Sequence, residues 1–383
     1  MRNFWKDGNV ADCCGCGACE HICPKQCISL KPNDEGFLIP CRIDSLCINC
    51  GLCEKICPVS DNYTFNTTKP PIVYAAYDRE HRVGSSSGGI FVTLAKYVIE
   101  KRHGWVYGAA FDKQFQLKHI GVCEVEELEK LRGSKYIQSN IGSTYTEIKR
   151  RLTQNEYVMF VGTPCQVAGL RSYLRKEYNN LLLVDLVCHG VPPQALFDEH
   201  VKYLECKHHA RLVSYLFRDP DGWGGCEICD FANPQKHKVL PTYSLSPYLN
   251  AFMQAYTYRD SCYECKFAQI PRQGDITLAD FWGVSNFFPE IKAKEGVSLV
   301  LANTPYGDTC LKETLKDCVV YQSNLEDASM YNPNLVSRTK RPKVRDTVFS
   351  EIQEKGYESI ARTIFRVKNY HLLRMKIWLK SLK

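Results

Sequence analysis

From Ile72 onward, apolar positions along the chain fall into two alternating patterns. Short runs rich in β-branched and aromatic residues, "IVYAAY", "WVYGAAF", "YVMFV" and "LLLVDLV", have the length of strands. Between them, "GGIFVTLAKYVIEKR", "STYTEIKRRL" and "QVAGLRSYLRKEY" place apolar residues at helical spacing with charges on the opposite face. Strands alternating with amphipathic helices cover a sheet on its faces, so the pattern predicts an α/β (mixed α+β) main body with part of its sheet parallel. Beyond about Gly190 the alternation loosens. "LVSYLFRD" and "EICDFA" read as a strand pair, and a Pro-, Tyr- and Asn-rich stretch leads to "CYEC".

Residues 1–60 show neither pattern. They hold 11 of the chain's 21 cysteines between short Gly- and Pro-punctuated spacers, with too few apolar side chains to form a core unaided. Cys13, Cys16, Cys19, Cys23-Pro24 and Cys47, Cys50, Cys53, Cys57-Pro58 both follow C-x2-C-x2-C-x3-C-P. That is the spacing of a bacterial-type ferredoxin domain with two 4Fe-4S cubes, in which three close thiolates bind one cube and the fourth, before proline, ligates the other. One cube is therefore assigned to Cys13, Cys16, Cys19 and Cys57, and the other to Cys47, Cys50, Cys53 and Cys23. A pair of zinc sites would set its C-x2-C pairs farther apart. Gly15, Gly17 and Gly51 let the backbone wrap each cube. Cys14, at a spacer position where the second copy has Ile48, is read as a bystander, and Cys27 and Cys41 as small buried side chains. "SDNYTFNTTKPP" then reads as a linker.

Composition changes this picture little except through cysteine. Hydrophobic residues at 44% and charged ones at 24% are ordinary for a globular chain of 383 residues. Twenty-one cysteines behind a start without an apolar secretion segment point to a reducing, cytoplasmic setting where thiols serve as ligands. The net charge of +7 is matched by seven Lys or Arg and no acid from Arg362 to the end, so the remainder is neutral. A body without a basic face argues against nucleic acid. The tail's cations alternate with Ile364, Phe365, Val367, Leu372, Leu373, Met375, Ile377, Trp378, Leu379 and Leu382. Such a helix suits peripheral contact with an anionic membrane, docking on a partner, or packing on its own domain.

A further thiol set lies in the body. "YVMFVGTPC" runs as a strand into Thr163 as N-cap and Pro164 as first helical residue, placing Cys165 there. Cys188 ends the next strand, and open α/β sheets gather ligands at the carboxyl ends of strands. With Cys262 and Cys265 these give four thiolates for a third 4Fe-4S cluster. The competing set joins Cys226 and Cys229 with Cys262 and Cys265 as a zinc knot, but residues three apart on a strand face opposite ways. Cys123, Cys206, Cys310 and Cys318 are isolated and assigned nothing. Iron–sulfur clusters pass single electrons, whereas metabolic reductions commonly move two, and a flavin joins the two regimes. No G-x-G-x-x-G is present. "GSSSGGI", opening a helix, offers either a phosphate-binding loop or a plain cap and turn. "RGSKYIQSNIGSTY" adds a polar loop in which Lys135 reads as a charge partner for a reduced flavin or an acidic substrate, or as a solvated lysine.

Six ordered stretches, "SSSGG", "GSKYIQS", "FVGTPCQVAGLRSYL", "VDLVCHGVPP", "FRDPDGW" and "DITLADFWG", together resemble the family of coenzyme F420 hydrogenase/dehydrogenase beta subunits, here preceded by a fused ferredoxin domain. The likeness covers about residues 1–345, with Ala279 standing where the family usually has Gly. It implies an FAD- and 4Fe-4S-dependent oxidoreductase that passes electrons between clusters and FAD and exchanges hydride with coenzyme F420 or another small redox acceptor, alongside a redox partner protein. A non-catalytic, purely wiring role in a larger complex is the alternative. Related flavoproteins include the reductase of 7-hydroxymethyl chlorophyll a, so the family does not fix the acceptor. Ser85, Ser86, Ser87, Gly88 and Gly89, with Gly133, Ser134, Lys135, Tyr136, Gln138 and Ser139, are implied as flavin-binding, and Cys165, Cys188, Cys262 and Cys265 as cluster ligands. Lys135 and His189 are the expected charge partner and proton donor. The expected domains are 1–60 (ferredoxin), 72–155 (similar to the N-terminal domain of the family), 156–345 (similar to its C-terminal domain, with FAD and the third cluster) and 346–383 (basic tail).

Overall fold

The computed structural model describes residues 4–60, 63, 70–220 and 223–381. Most of the expected linker, Asp221 and Gly222 of "FRDPDGW", and Leu382 and the Trp378 side chain of the tail lie outside the described residues. An eight-stranded mixed sheet forms the body, in the order Val319–Ser323, Ile72–Tyr77, Ser298–Ala302, Ile276–Asp280, Leu181–Leu186, Val158–Gly162, Trp105–Phe111, Leu117–Val122. Its four central strands, from Ile276–Asp280 to Trp105–Phe111, are parallel, and antiparallel strands flank them on both sides. The central strands are apolar on both faces; every residue of Val158–Gly162 and the first five of Leu181–Leu186 are buried. Fully covered faces require such runs. The expected boundary near residue 155 falls between sheet neighbours, because Trp105–Phe111 pairs with Val158–Gly162.

The expected strand pair forms as Arg211–Arg218 against Gly225–Ala232, within a three-stranded antiparallel sheet completed by Lys236–Leu240. Its apolar face packs on the helix Gln194–His208 and on helices near the C-terminus. Phe365, fully buried, belongs to that core together with Tyr357, Ile360 and Ala361. The chain to about residue 365 is therefore body, and the free basic segment is shorter than the pattern from Arg362 suggested. What remains is the helix Tyr370–Ser381, on which Leu372, Met375 and Leu379 stay half exposed. No described helix is long and apolar enough to cross a membrane.

The ferredoxin region has a single hairpin, Ile28–Pro32 against Leu38–Arg42, and short helices Ala18–Ile22 and Leu52–Lys55, each entered through a left-handed glycine, Gly17 and Gly51. Cations of the body clamp it. The Arg259 guanidinium, 2% exposed, donates to the Cys13 carbonyl at 2.6 Å, to Leu38 O at 2.8 Å and to Gln138 Oε1 at 2.9 Å. Arg345, equally buried, pairs with Glu35, and Lys266 Nζ donates to Ser60 O at 2.6 Å. Helix Pro164–Leu174 approaches closely at Gly169, where a Cβ would meet Cys16 Cβ at 2.8 Å.

Candidate functional site

The ferredoxin cysteines gather in two neighbourhoods, although no three of them stand close enough to hold a single metal ion among the described residues. Cys57 folds back beside Cys13, Cys16 and Cys19, while Cys23 crosses to line one surface opening with Cys47, Cys50 and Cys53. The two settings differ. Cys16 is buried under the body, whereas Cys50 is exposed and flanked by the exposed Leu46 and Ile48. Cys27 is buried as expected, with its Sγ 3.4 Å from that of Cys23, but Cys41 is only half buried on its hairpin.

The third thiol set converges from three distant stretches. The Thr163–Gln166 capping box fixes the first turn of helix Pro164–Leu174 and so Cys165, while Thr163 Oγ1 lies 3.2 Å from its Sγ. Cys188 stands two residues beyond its strand. A buried Arg272, donating to Leu186 O at 2.8 Å and facing Asp185 at 3.5 Å, ties the strand's end to the segment carrying Cys262 and Cys265. These four cysteines line one cavity of about 170 Å³. Burial pushes the Cys188 thiol up to about 12 and Cys265 to about 11, and raises Cys262 as well. Four soft donors that burial disfavours as free anions have the chemistry of metal-cluster ligands. Cys226 and Cys229 are buried on strand Gly225–Ala232 and line no part of this cavity. Cys14, read as a bystander of the first quartet, lines the cavity as well.

Beside this cavity lies a larger one of about 570 Å³, within the range of organic cofactor sites. Carboxyl ends of parallel strands form its floor, contributing Gly162, Leu186 and Asp280. Ser85, Ser86, Ser87, Gly89, Gly133, Ser134, Lys135, Tyr136 and Ser139 all line it. Two expected residues do not. Gly88 is buried behind the loop, where its N–H donates to Ser298 Oγ at 3.0 Å. Gln138 turns the other way, donating to the Cys14 carbonyl at 3.0 Å. Residues alternating along an extended loop face opposite sides, so Ser139 meets the cavity while Gln138 meets the ferredoxin region.

Lys135 lines the cavity, yet its ammonium is anchored by the carbonyls of Leu131, Arg132 and Gly133 at 2.7 to 3.2 Å, and burial lowers it to about 8. It is not the solvated lysine of the alternative reading. His189, lowered by burial, lies in the wall common to both cavities, together with Thr163, Cys188, Gly190 and Val191.

Sequence reasoning missed several side chains of this site. Arg218 joins four of the six motifs: from its own it pairs with Asp280 at 2.8 Å and donates to Tyr136 Oη at 3.2 Å and Ser86 O at 3.0 Å. Trp223 donates to the other Asp280 oxygen and stacks on Trp282 with ring centres 4.7 Å apart. The Asp within "DITLADFWG" and the Arg within "FRDPDGW" were the available signal. Arg132 leaves a buried Nε–H without a partner among the described residues. His119 is neutral, lowered to about 4 by burial, with Nε2 donating to Val161 O at 3.0 Å and Nδ1 accepting from Ser139. Nothing local marked it, because its partners lie 20 and 42 residues away.

Residues 155–328 match the family model for the C terminus of the coenzyme F420 hydrogenase/dehydrogenase beta subunit, and residues 12–60 match "4Fe-4S dicluster domain". The F subunit of the F(420)H(2) dehydrogenase of Methanosarcina mazei is 24% identical over 186 residues, covering 46% of this chain and 53% of that protein. The chain thus spans about half the length of this curated relative. A chain of the F420-reducing NiFe hydrogenase complex from Methanosarcina barkeri superposes with TM-score 0.47 and 16% identity, covering 79% of this chain and 96% of that one. The chain therefore joins a stretch that matches a 4Fe-4S dicluster domain, residues 12–60, to a body whose residues 155–328 are similar to the C terminus of coenzyme F420 hydrogenase/dehydrogenase beta subunits.

Proposed function

We propose that the chain is an iron–sulfur flavoprotein oxidoreductase, in which electrons pass between two ferredoxin cubes, a third 4Fe-4S cluster and FAD, with hydride exchange to coenzyme F420 or another small acceptor. The observation that carries this reading is the common wall: Thr163 and Cys188 to Val191 face the thiol cavity on one side and the large cavity on the other. Cys165, Cys188, Cys262 and Cys265 would hold the third cluster. The donor set of the large cavity fits FAD: Ser85 to Ser87 and the unpartnered Arg132 Nε–H suit a pyrophosphate, and Arg218 and Tyr136 order the opposite wall. FAD supplies the junction between one-electron and two-electron transfer when bound. Around it, Lys135, held near 8, donates a proton at neutral pH and offsets negative charge, and His189 stands where a proton can follow an electron through the common wall.

The matched family and the dehydrogenase relative favour coenzyme F420 as the acceptor class. The exposed Cys50, beside Ile43, Leu46 and Ile48, favours the second cube as the point where a redox partner protein exchanges electrons. Holoprotein given reduced coenzyme F420 and a one-electron viologen dye tests the reading: steady dye reduction is expected. A protein that reduces dye only after a partner enzyme is added would have a wiring role alone.

A further inference from the structure

We infer that Arg259 is the buried counter-ion of the first ferredoxin cube, and that its charge holds this cube at a higher potential than the exposed second cube. The inference rests on the two ferredoxin cubes of the proposed reading and not on its third cluster or FAD. Among the described residues, five arginines are buried, and four of them face a carboxylate within 3.5 Å: Arg82 faces Glu295, Arg218 faces Asp280, Arg272 faces Asp185 and Arg345 faces Glu35. Arg259, 2% exposed, has no carboxylate partner among the described residues. Its guanidinium donates to neutral oxygens, those of Cys13, Leu38 and the Gln138 amide, at 2.6 to 2.9 Å. A guanidinium is a permanent cation, and burying one among neutral partners is costly unless an opposite charge lies close.

What lies close is the loop of the first quartet. A Cβ on Gly15, between Cys13 and Cys16, would meet Arg259 Nη1 at 2.8 Å and Gln138 Nε2 at 2.6 Å. Guanidinium and amide thus fill the space a side chain would take. The second copy of the repeat has Asn49 at the matching position, exposed like its neighbour Cys50. Arg42, beside that second quartet, is already paired with Asp44 at 2.7 Å, and both side chains are open to solvent. A cube held by four thiolates is anionic, and it is the charge that Arg259 lacks.

A fixed cation beside an anionic cluster favours the reduced state, which carries one more negative charge, and so raises the potential. Water and salt screen charges around the second cube, while burial leaves Arg259 little screened. An electron handed to the exposed cube therefore moves inward. The second cube is oxidised and the first is reduced; Arg259 keeps its protons and forms no bond to iron. The same residue joins the receiving cube to the wall of the thiol cavity, because its backbone N–H donates to Val191 O at 3.0 Å and its carbonyl accepts from the Cys262 N–H at 2.9 Å.

The test titrates holoprotein anaerobically with dithionite and follows each cluster by electron paramagnetic resonance. Cys50→Ser identifies the second cube by its loss, and Cys188→Ser identifies the third cluster, which leaves the first cube. In the wild type the first cube should take up its electron at higher potential than the second. Arg259→Met keeps the apolar stem without the charge, and should shift the sharing of an electron toward the second cube roughly tenfold, or ~59 mV for a one-electron couple. Arg259→Lys, which keeps the charge without the fork, should restore most of that shift. A first cube below the second in the wild type, or sharing unchanged in Arg259→Met, would overturn the counter-ion. Irons of the first cube lost in Arg259→Met and kept in Arg259→Lys would uphold it, and an equal loss in both would leave Arg259 a packing clamp and overturn it. A Cys50→Ser protein that keeps all its iron would overturn the second cube itself, and a wild type without a third cluster would leave the comparison of the two cubes standing.

Discussion

The exposed ferredoxin quartet and the buried thiol cavity solve one problem in opposite ways. Cys23, Cys47, Cys50 and Cys53 come from two short repeats, open to the surface, with little around them but a hairpin and one-turn helices. Cys165, Cys188, Cys262 and Cys265 come from a capped helix, a strand end and a remote turn, and are held by the buried Arg272–Asp185 pair. The first geometry is stored in spacing, and metal binding completes its folding. The second is stored in the sheet, which folds around its own core and delivers the thiols ready placed. A solvent-facing cube suits exchange with partners, and a buried one suits transfer to a cofactor behind the next wall.

Breaking each side should show this difference first. Cys188→Ser and Cys50→Ser should each remove about four irons. Thermal unfolding of the body should fall only in the first case, because Cys50 touches nothing in the main sheet; an equal fall in both would erase the distinction. Next in size is Arg218→Met, which leaves the largely covered Asp280 carboxylate without its cation. Stability should drop by about 3–5 kcal/mol. Bound flavin should be lost as well, both read from a melt monitored by flavin fluorescence.

A smaller effect comes with pH. The folded His119 sits near 4 against an ordinary 6.5, so the stability it contributes is full above about 6.5 and is lost as pH falls toward 4. Urea unfolding at pH 7 and pH 5 should differ by about 2 kcal/mol from this group alone. His119→Asn should flatten that slope. The smallest effect is expected at the tail. Ending the chain after Lys368 removes the helix whose Leu372, Met375 and Leu379 are half exposed, and should change stability by less than about 0.5 kcal/mol. If the helix lies on anionic membranes, the same truncation should abolish binding to phosphatidylserine vesicles.

The same contrast governs what could be read from the chain. The 4Fe-4S dicluster domain was legible because ligand spacing is a local property, and the α/β body because period-2 and period-3.6 patterns are local as well. Thr163, Pro164 and Cys165 were legible through cap chemistry. Gln138 was misplaced because the side a loop residue faces depends on what packs against it, here Arg259. His119 and Arg218 stayed hidden because their partners are brought close by sheet order and not by sequence. The tail was read as too long because its cations continue from residues such as Arg362, whose helix carries the buried Ile360 and Ala361.

The central claim, that one chain links ferredoxin cubes to a flavin through a third cluster, is tested most directly by anaerobic purification with iron, acid-labile sulfide and flavin quantified on one sample. About twelve irons, as many sulfides and one FAD per chain are predicted. About eight irons and no flavin would contradict the account, leaving the thiol cavity and the large cavity beside it without the cofactors proposed for them.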